Sequence, residues 1–302
     1  MILAVTGATG FVGQAVLDEA TQRGIAVRAL TRRTQPTCRD VDWISGDLGS
    51  HDALAELVHG ADAVLHIAGV VNAADMAGFH AGNVAGTEAV VAAAEASEAK
   101  RFVHVSSLAA REPGLSDYGK SKQQAEEAVR ASSLDWTMVR PPAVYGPRDT
   151  EVFELFKAAR FGFVPLPPEG RSSVIHVDDL ARLLLDMVGE GAETFGKVYE
   201  PDDGTPKGLS HSQLAEAIGA AMGKRVWAPN VPRSLLMAAA KGDRLLRGAK
   251  AKLTPDRASY MCHPDWVSDP EKAVPSTIWQ PQVRFPEGLA QTAEWYRDAG
   301  WL

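Results

Sequence analysis

The chain has 302 residues, of which 45% are hydrophobic and 23% are charged, and its net charge at pH 7 is −7. These proportions match those of ordinary globular proteins and exclude a disordered chain or a fibrous repeat. The excess of acidic residues argues against nucleic-acid binding as the main activity, because proteins that bind phosphate backbones usually carry a basic surface.

The composition also bears on compartment and on metal binding. No apolar run reaches the ~18 residues of a membrane-spanning helix, and the chain starts with strand-like sequence and no signal-peptide flank. Cys38 and Cys262 are too few for a disulfide framework. The eight histidines lack spacings such as H-E-x-x-H. We therefore expect a cytoplasmic protein with no metal, no nucleic-acid partner and no stable membrane insertion.

The first elements in chain order are a buried strand, ILAV, a glycine-rich turn, TGATGFVG, and a helix, QAVLDEATQRG, that ends at Gly24. Apolar strand-like segments then recur: IAVRALT, VDWIS, ADAVLHIAG, KRFVHVSS and LDWTMVRP. Helix-like segments lie between them, the longest being MAGFHAGNVAGTEAVVAAAEAS. This alternation predicts an α/β fold with a parallel sheet and helices on both of its faces, because parallel strands need crossover connections.

The glycine-rich turn is a candidate cofactor site. Gly7, Gly10 and Gly13 have the spacing G-x-x-G-x-x-G between a strand and a helix. Small residues at such a turn let backbone N–H groups approach a pyrophosphate at the helix N-terminus. The alternative is a tight turn without a ligand, but the strand before it and the helix after it favour dinucleotide binding.

The end of the second strand bears on the choice between NAD and NADP. Folds that use NAD place Asp or Glu about twenty residues past the glycine turn, where the carboxylate holds the ribose 2′-hydroxyl. This chain has Arg32 and Arg33 there, and a guanidinium group suits a 2′-phosphate. The pattern favours NADP(H), with NAD(H) as the alternative if the two arginines are only solvated surface residues.

The stretch SSLAAREPGLSDYGKSK, residues 106–122, contains a candidate proton-transfer group. Tyr118 and Lys122 have the helical spacing i, i+4, so their side chains lie on one face. An ammonium group one turn away would stabilise a phenolate and lower the tyrosine pKa toward neutral pH. Tyr118 would then exchange a proton with a carbonyl or alcohol oxygen while a hydroxyl of Ser107 bonds the same oxygen.

Two histidines end or interrupt strands near this region. His104 alternates with core residues, and we expect it to be a core histidine with satisfied hydrogen bonds. His66 ends a strand near the cofactor groove, where a minor role is open.

The back half is less regular. EVFELFKAARFG and VDDLARLLLDMVGEG read as helices on either side of a proline-rich loop, and LSHSQLAEAIGAAMG and VPRSLLMAAAKGDRLLRGAKAKL read as helices of a smaller lobe. The last of these has Arg and Lys around an apolar patch. It is either an interfacial membrane helix or a helix of the lobe or of a dimer, and its short apolar run favours the second.

Several short segments, in the same order, resemble the extended branch of the short-chain dehydrogenase/reductase superfamily. This group contains nucleotide-sugar epimerases, dihydroflavonol reductases and 3β-hydroxysteroid dehydrogenases. The matching segments cover nearly the whole chain and are TGATGFVG, GDL, HIAG, NVAGT, VSS, YGKSK, RPPAVYGP, HVDDLA and the tail EGLAQTAEWYRDAGWL.

The resemblance implies a Rossmann-type doubly wound sheet over residues 1–150 and a smaller C-terminal substrate lobe over residues 151–302, with a segment of about 172–200 packing back on the first domain. It implies catalytic roles for Ser107, Tyr118, Lys122 and Asn83, with Ser106 as the alternative to Ser107. The implied cofactor-binding residues are Gly7, Thr9, Gly10, Phe11, Val12, Gly13, Arg32, Arg33, Asp47, Leu48, Ala68, Gly69, Lys122, Pro141 and Val144.

These observations lead us to expect an NADP-dependent oxidoreductase that transfers hydride between the cofactor and a carbonyl or alcohol of a bulky small-molecule substrate. The alternatives are a nucleotide-sugar epimerase that uses NAD, and a non-catalytic NADP-binding sensor or assembly protein. A homodimer through the two long helices is the habit of the family and is expected as a possible assembly.

Overall fold

The computed structural model describes residues 1–189, 191–248, 251 and 253–302. Its strands, numbered in chain order, are β1 (Ile2–Thr6), β2 (Ala26–Thr31), β3 (Val41–Ser45), β4 (Ala63–His66), β5 (Arg101–Val105), β6 (Asp135–Val139), β7 (Ala143–Tyr145), β8 (Arg171–Ser172), β9 (Val174–His176), β10 (Lys197–Tyr199), β11 (Leu209–Ser210) and β12 (Asp265–Trp266).

The helices are α1 (Phe11–Gln22), α2 (His51–Val58), α3 (Met76–Phe79), α4 (Gly86–Glu95), α5 (Asp117–Ala131), α6 (Val152–Arg160), α7 (Val177–Gly189), α8 (His211–Ala221), α9 (Arg233–Arg247), α10 (Pro255–Met261) and α11 (Phe285–Asp298). A π-helical segment, His80–Ala85, joins α3 to α4, so the long alanine-rich stretch forms one continuous helical run. Among the described residues, no helix is long and apolar enough to cross a membrane.

The central sheet confirms the α/β prediction. Its seven strands are all parallel and lie in the order β10-β6-β5-β4-β1-β2-β3. The order from β3 to β6 is that of a Rossmann sheet, in which the ligand crevice lies outside the carboxyl ends of the strands where the strand order reverses. In this chain the reversal falls between β1 and β4.

Alternation along the strands separates two hydrophobic clusters. On β1, Leu3 and Val5 belong to a cluster that also holds side chains of α1 and α7, whereas Ala4 belongs to a cluster with α2, α4 and α5. Successive strand residues point to opposite faces, so one buried strand supplies both layers of the core. Helices therefore cover both faces of the sheet.

The back half contributes to both parts of the molecule. Helix α7 packs against α1, and β10 pairs with β6 at the edge of the central sheet. Helices α6, α8 and α11 surround a separate cluster that includes Phe156, Ile218 and Tyr296. Short strands complete this lobe, with β11, β8 and β12 in one small sheet and β7 and β9 in another.

Candidate active site

Helix α5 begins directly before Tyr118, and two side chains cap its N-terminus. The Ser116 hydroxyl accepts a hydrogen bond from the Gly119 amide at 2.9 Å. The Asp256 carboxylate, on α10, accepts one from the Asp117 amide at 2.5 Å. Both bonds satisfy amide groups that a helix start leaves unpaired. Tyr118 is thus held in the first turn by its own helix and by a neighbouring one.

The two serines at the end of β5 have different partners. The Ser107 side chain lies close enough to Tyr118 to lower the pKa of the phenol, and its hydroxyl oxygen accepts a hydrogen bond from the Ala109 amide at 3.2 Å. Ser106 is buried and donates instead to a carboxylate oxygen of Glu126 at 2.6 Å. Of the two serines that the sequence left open, Ser107 is the one that the fold brings to the tyrosine.

The pKa of Tyr118 differs from the sequence-based expectation, which was that Lys122 would lower it toward neutral pH. Burial raises the pKa of Tyr118, and the neighbouring Ser107 side chain opposes that rise only in part. The Lys122 ammonium donates a hydrogen bond to the Val105 carbonyl at 2.8 Å, at the end of β5. Desolvation lowers the pKa of Lys122 to about 8. The lysine is therefore bonded to the strand, and the tyrosine stays protonated at neutral pH.

Asn83 lies in the π-helical segment and joins two pieces of chain. Its side-chain oxygen accepts from the Val70 amide at 2.6 Å, and its nitrogen donates to the Val70 carbonyl at 3.0 Å. The same nitrogen donates to the Ser121 hydroxyl at 2.8 Å. Asn83 is buried and so fixes the loop after β4 against the residue next to Lys122.

The glycine turn has the geometry that a pyrophosphate cradle requires. Gly7 has φ +78°, and a Cβ there would lie 2.6 Å from the Ala68 amide nitrogen. A Cβ on Gly13 would lie 2.1 Å from the Gly7 carbonyl oxygen, so no larger residue fits. Gly10, the residue directly before α1, has no side chain that could cap the helix. The amides of the first helical turn are therefore not covered by a side chain of the cap residue and fit a bound phosphate.

The residues after β4 lie between this turn and Lys122. Ala68 and Gly69 follow β4, and a Cβ on Gly69 would lie 3.6 Å from the Lys122 Nζ. Gly69, which the resemblance places at the cofactor, thus lies next to the Lys122 ammonium.

Other residues expected at the cofactor are spread along the same edge. Thr9 is exposed, and Phe11 and Val12 in the first turn of α1 are half-buried. The side chains of Arg32 and Arg33 are exposed after β2. On the opposite flank, the carbonyl of the buried Pro141 accepts from the Leu108 amide, and Val144 packs against the core cluster of α1 and α7.

After β3, Asp47 has local partners. Its carboxylate accepts from the Gly49 amide at 2.9 Å and from the Ser50 hydroxyl at 3.0 Å, and so caps the turn before α2. Leu48 is half-buried and packs against the cluster of α2 and α4.

His66 and His104 differ in whether their ring nitrogens are hydrogen-bonded. His66 is fully buried between the hydroxyls of Thr6 and Thr87, at 2.6 and 2.9 Å, and desolvation lowers its pKa to about 3. It is a neutral core residue. His104 stacks on His66 at 5.2 Å, but neither of its ring nitrogens has a partner among the residues that the structure describes. The expectation of a satisfied histidine was therefore wrong for His104.

A buried charge network beneath α5 was not predicted from the sequence. Arg140 bonds both oxygens of Glu126 at 2.7 Å and one oxygen of Glu200 at 3.3 Å. Arg111 bonds the other Glu200 oxygen at 3.1 Å. Burial alone would raise the pKa of Glu126, but Arg140 and Ser106 hold it below its ordinary value. The four charges come from separate elements, so no local pattern could have identified them.

Aromatic and aliphatic side chains surround Tyr118. Its ring lies 6.0 Å from that of Phe79 and 6.3 Å from that of Tyr260, which packs in turn against Trp266. The apolar cluster at this point comprises Leu108, Ala109, Leu115, Tyr118, Tyr260 and Trp266. No group of three or more His, Cys, Asp or Glu side chains able to hold a metal ion occurs in the part of the chain that is described.

Comparisons with known proteins bear on the family and the fold of this chain. Residues 7–190 match the sequence model of a family described as NAD(P)H-binding. The chain is 37% identical to ceramide reductase of Caulobacter vibrioides, over 100% of this chain and 96% of that protein. It is 31% identical to 2-alkyl-3-oxoalkanoate reductase of Stenotrophomonas maltophilia, over 96% of this chain and 97% of that protein.

Among solved structures, the fold is similar to that of UDP-glucuronic acid 4-epimerase from Bacillus cereus, in complex with UDP-glucuronic acid and NAD. The TM-score is 0.76 and the identity 18%, and the match covers 99% of this chain and 100% of that chain.

Proposed function

Because the chain belongs to the extended branch of the short-chain dehydrogenase/reductase superfamily and is an NAD(P)-dependent oxidoreductase of that type, we propose that it reduces a ketone on a lipid-like substrate to a secondary alcohol, with NADP(H) as cofactor. This proposal is supported by the position of Ser107, which follows β5 and lies beside Tyr118, and by the approach of Gly69, after β4, to Lys122 one helical turn from Tyr118.

The protonation state of Tyr118 favours reduction. Burial keeps its pKa above the ordinary value, so the phenol carries its proton at neutral pH, as a donor to a carbonyl oxygen must. The nicotinamide cofactor supplies the hydride when it is bound. Tyr118 donates its proton to the substrate oxygen, and Ser107 donates a hydrogen bond to the same atom as negative charge develops there.

Lys122 supports this transfer from the side of the groove. Its pKa of about 8 leaves it charged at neutral pH. A positive charge one helical turn from Tyr118 favours the phenolate that forms when the proton leaves. Asn83 acts on the same helix through Ser121 and through the loop at Val70, and it is a positioning residue.

The apolar surroundings of Tyr118 support a lipid-like substrate. The rings of Phe79 and Tyr260 and the cluster around Leu108 offer hydrophobic surface and few charges. Two relatives of nearly full length are named for reduction of ceramide and of a 2-alkyl-3-oxoalkanoate. We extend to this chain the part that these two names share, which is reduction of a substrate with a large apolar portion.

The proposal is tested by incubating the purified enzyme and NADPH with a panel of 3-oxo lipids, steroid ketones and UDP-sugars. We expect NADPH to be consumed with a 3-oxo lipid in a one-to-one ratio with a secondary alcohol that mass spectrometry identifies. Interconversion of UDP-sugars without net cofactor consumption would contradict the proposal and favour the epimerase alternative.

A further inference from the structure

Helix α9 presents an apolar face to solvent. Leu235, Leu245 and Leu246 are 60%, 88% and 86% exposed, whereas Ala240 is the only buried residue of this helix. The helical repeat places six residues on the exposed side. They are Leu235, Ala238, Ala239, Gly242, Leu245 and Leu246. The solvent-facing side of a surface helix normally carries charged residues, but none of these six residues is charged.

The arginines of α9 make contacts on its other sides. Arg244 donates to the Ala74 carbonyl at 3.2 Å, and Arg247 pairs with Asp243 at 3.2 Å, one turn away. Surface helices of globular proteins have the opposite arrangement, with the apolar stripe toward the core. The exposed leucines therefore need a partner that the chain itself does not provide among its described residues.

The same helix lies next to the candidate active site. It packs against α10, whose Tyr260 contacts Tyr118. The Arg244 bond to Ala74 ties the end of α9 to the loop after β4, and Asn72 of the same loop donates to the carbonyl of Ala251, beyond the helix, at 3.2 Å. Asn83 anchors that loop at Val70. Helix α9 thus contacts both α10, which packs near Tyr118, and the loop after β4.

Charge is strongly segregated toward this part of the chain. Residues 222–257 contain nine Lys or Arg and two Asp, a net charge of +7, while the other 266 residues carry −14. Within the same segment Trp227 is 70% exposed, and its ring lies 5.4 Å from that of Phe163. Exposed leucines flanked by cations are the composition of helices that lie at a lipid surface, where exposed tryptophans such as Trp227 are also enriched.

We propose that α9 docks on the surface of an anionic phospholipid bilayer, with Leu235, Leu245 and Leu246 inserted among the lipid chains and the exposed Lys241 close to the phosphates. The helix has 15 residues, which is too short to span a bilayer, so it lies in the interface. A second copy of the chain is a poorer occupant, because two segments of +7 would meet face to face. In addition, and resting on the proposed function, this docking brings a membrane lipid to Tyr118.

Binding is tested with the full chain and sedimented vesicles, without any turnover. We expect vesicles of phosphatidylcholine with 30% phosphatidylglycerol to bind at least about tenfold more protein than phosphatidylcholine alone, and 0.5 M salt to weaken binding. The double substitution Leu245→Ser, Leu246→Ser and the single Lys241→Glu should each reduce binding severalfold. The matched control is Lys197→Glu, which makes the same charge change at the exposed start of β10 and should leave binding unchanged.

Equal binding to both vesicle types, or no loss in the leucine variant, would overturn the proposal. So would a wild-type dimer that the leucine variant converts to monomer without any vesicle binding, because a second copy would then cover the face. NADPH affinity, measured on the same variants, should not change.

Delivery of the substrate is tested separately from binding. The leucine variant should reduce a vesicle-embedded 3-oxo lipid severalfold more slowly than wild type and a short, water-soluble 3-oxo ester at the same rate. Equal losses on both substrates would contradict delivery through α9. A wild type that binds vesicles but reduces neither substrate would overturn the proposed reduction and leave the docking in place.

Discussion

At the residue scale, two adjacent serines have different neighbours in the structure. Ser107 lies beside Tyr118, whereas Ser106 is buried and bonded to Glu126. Sequence analysis could place one serine at the end of β5 but could not fix which of the two faces the site, since a shift of one residue turns a strand side chain to the other face.

We predict that Ser107→Ala lowers kcat by about 10²-fold, because it removes a hydrogen bond to the developing oxyanion. Ser106→Ala should lower the free energy of unfolding by about 1 kcal/mol and change kcat by less than about threefold, because it removes only a buried bond. Steady-state kinetics and urea unfolding on both variants check this. The reverse pattern would assign the catalytic hydroxyl to Ser106.

Lys122 gives a pH-dependent prediction. Its pKa is about 8 in the folded chain against an ordinary 10.5, so between these values the unfolded chain binds more protons and the free energy of unfolding should rise with pH. We expect a contribution of about 1 kcal/mol per pH unit that Lys122→Met removes. Lys120→Met, an exposed lysine on the same helix, is the control and should retain the slope. Urea unfolding from pH 7.5 to 10 measures it, and identical slopes in all three proteins would contradict the burial argument.

Arg32 and Arg33 give a prediction about cofactor choice. A guanidinium group at the end of β2 suits a 2′-phosphate. We therefore expect wild type to bind NADPH at least about tenfold more tightly than NADH, and Arg32→Ala to lose most of that difference. Isothermal titration with both cofactors measures this, and equal affinities in wild type would remove the basis for preferring NADP(H).

At the element scale, α5 depends on a cap from another part of the chain. Asp256 on α10 accepts from the Asp117 amide at the start of the helix that bears Tyr118 and Lys122. The Ser116 cap could be anticipated from the order Ser-Asp-Tyr at a helix start, whereas a cap that arrives from 139 residues away leaves no local signal.

We predict that Asp256→Ala lowers the free energy of unfolding by about 1 kcal/mol, because it leaves a helix N-terminus without one of its caps. It should also lower kcat severalfold, since the first turn of α5 carries Tyr118. Asp298→Ala, at the exposed end of α11, is a matched control without a capping role and should do neither. Unchanged stability and kcat in Asp256→Ala would show that Ser116 alone holds the helix.

The central strands and helices followed from the sequence because each has a strong local pattern. The buried strands are continuous apolar runs, and the glycine turn lies between β1 and α1 as expected. The network of Glu126, Arg140 and Glu200 did not follow, because its members lie on α5, directly after β6 and directly after β10 and meet only in the folded chain. Short strands such as β8 and β12, of two residues each, are too brief for a periodic signal.

At the scale of the whole molecule, the front half of the chain is not an independent unit. Helix α7 and strand β10 lie beyond residue 150 and contribute to the core and the sheet of the nucleotide-binding part. The division at residue 150 therefore stays a prediction. The fold and the family could be predicted from the resemblance. The exposed face of α9 could not, because it depends on which residues of that helix are buried in the folded chain.

We expect the molecule to bring a ketone and a reduced nicotinamide together at Tyr118. The most direct measurement is a single-turnover reaction of the enzyme with NADPH and a 3-oxo lipid, in wild type and in Tyr118→Phe. We expect the rate of NADPH oxidation to fall at least about 10²-fold in the variant, because the proton donor is lost, while the NADPH dissociation constant changes less than about threefold. NADPH oxidation at the wild-type rate in Tyr118→Phe would show that Tyr118 is not the proton donor.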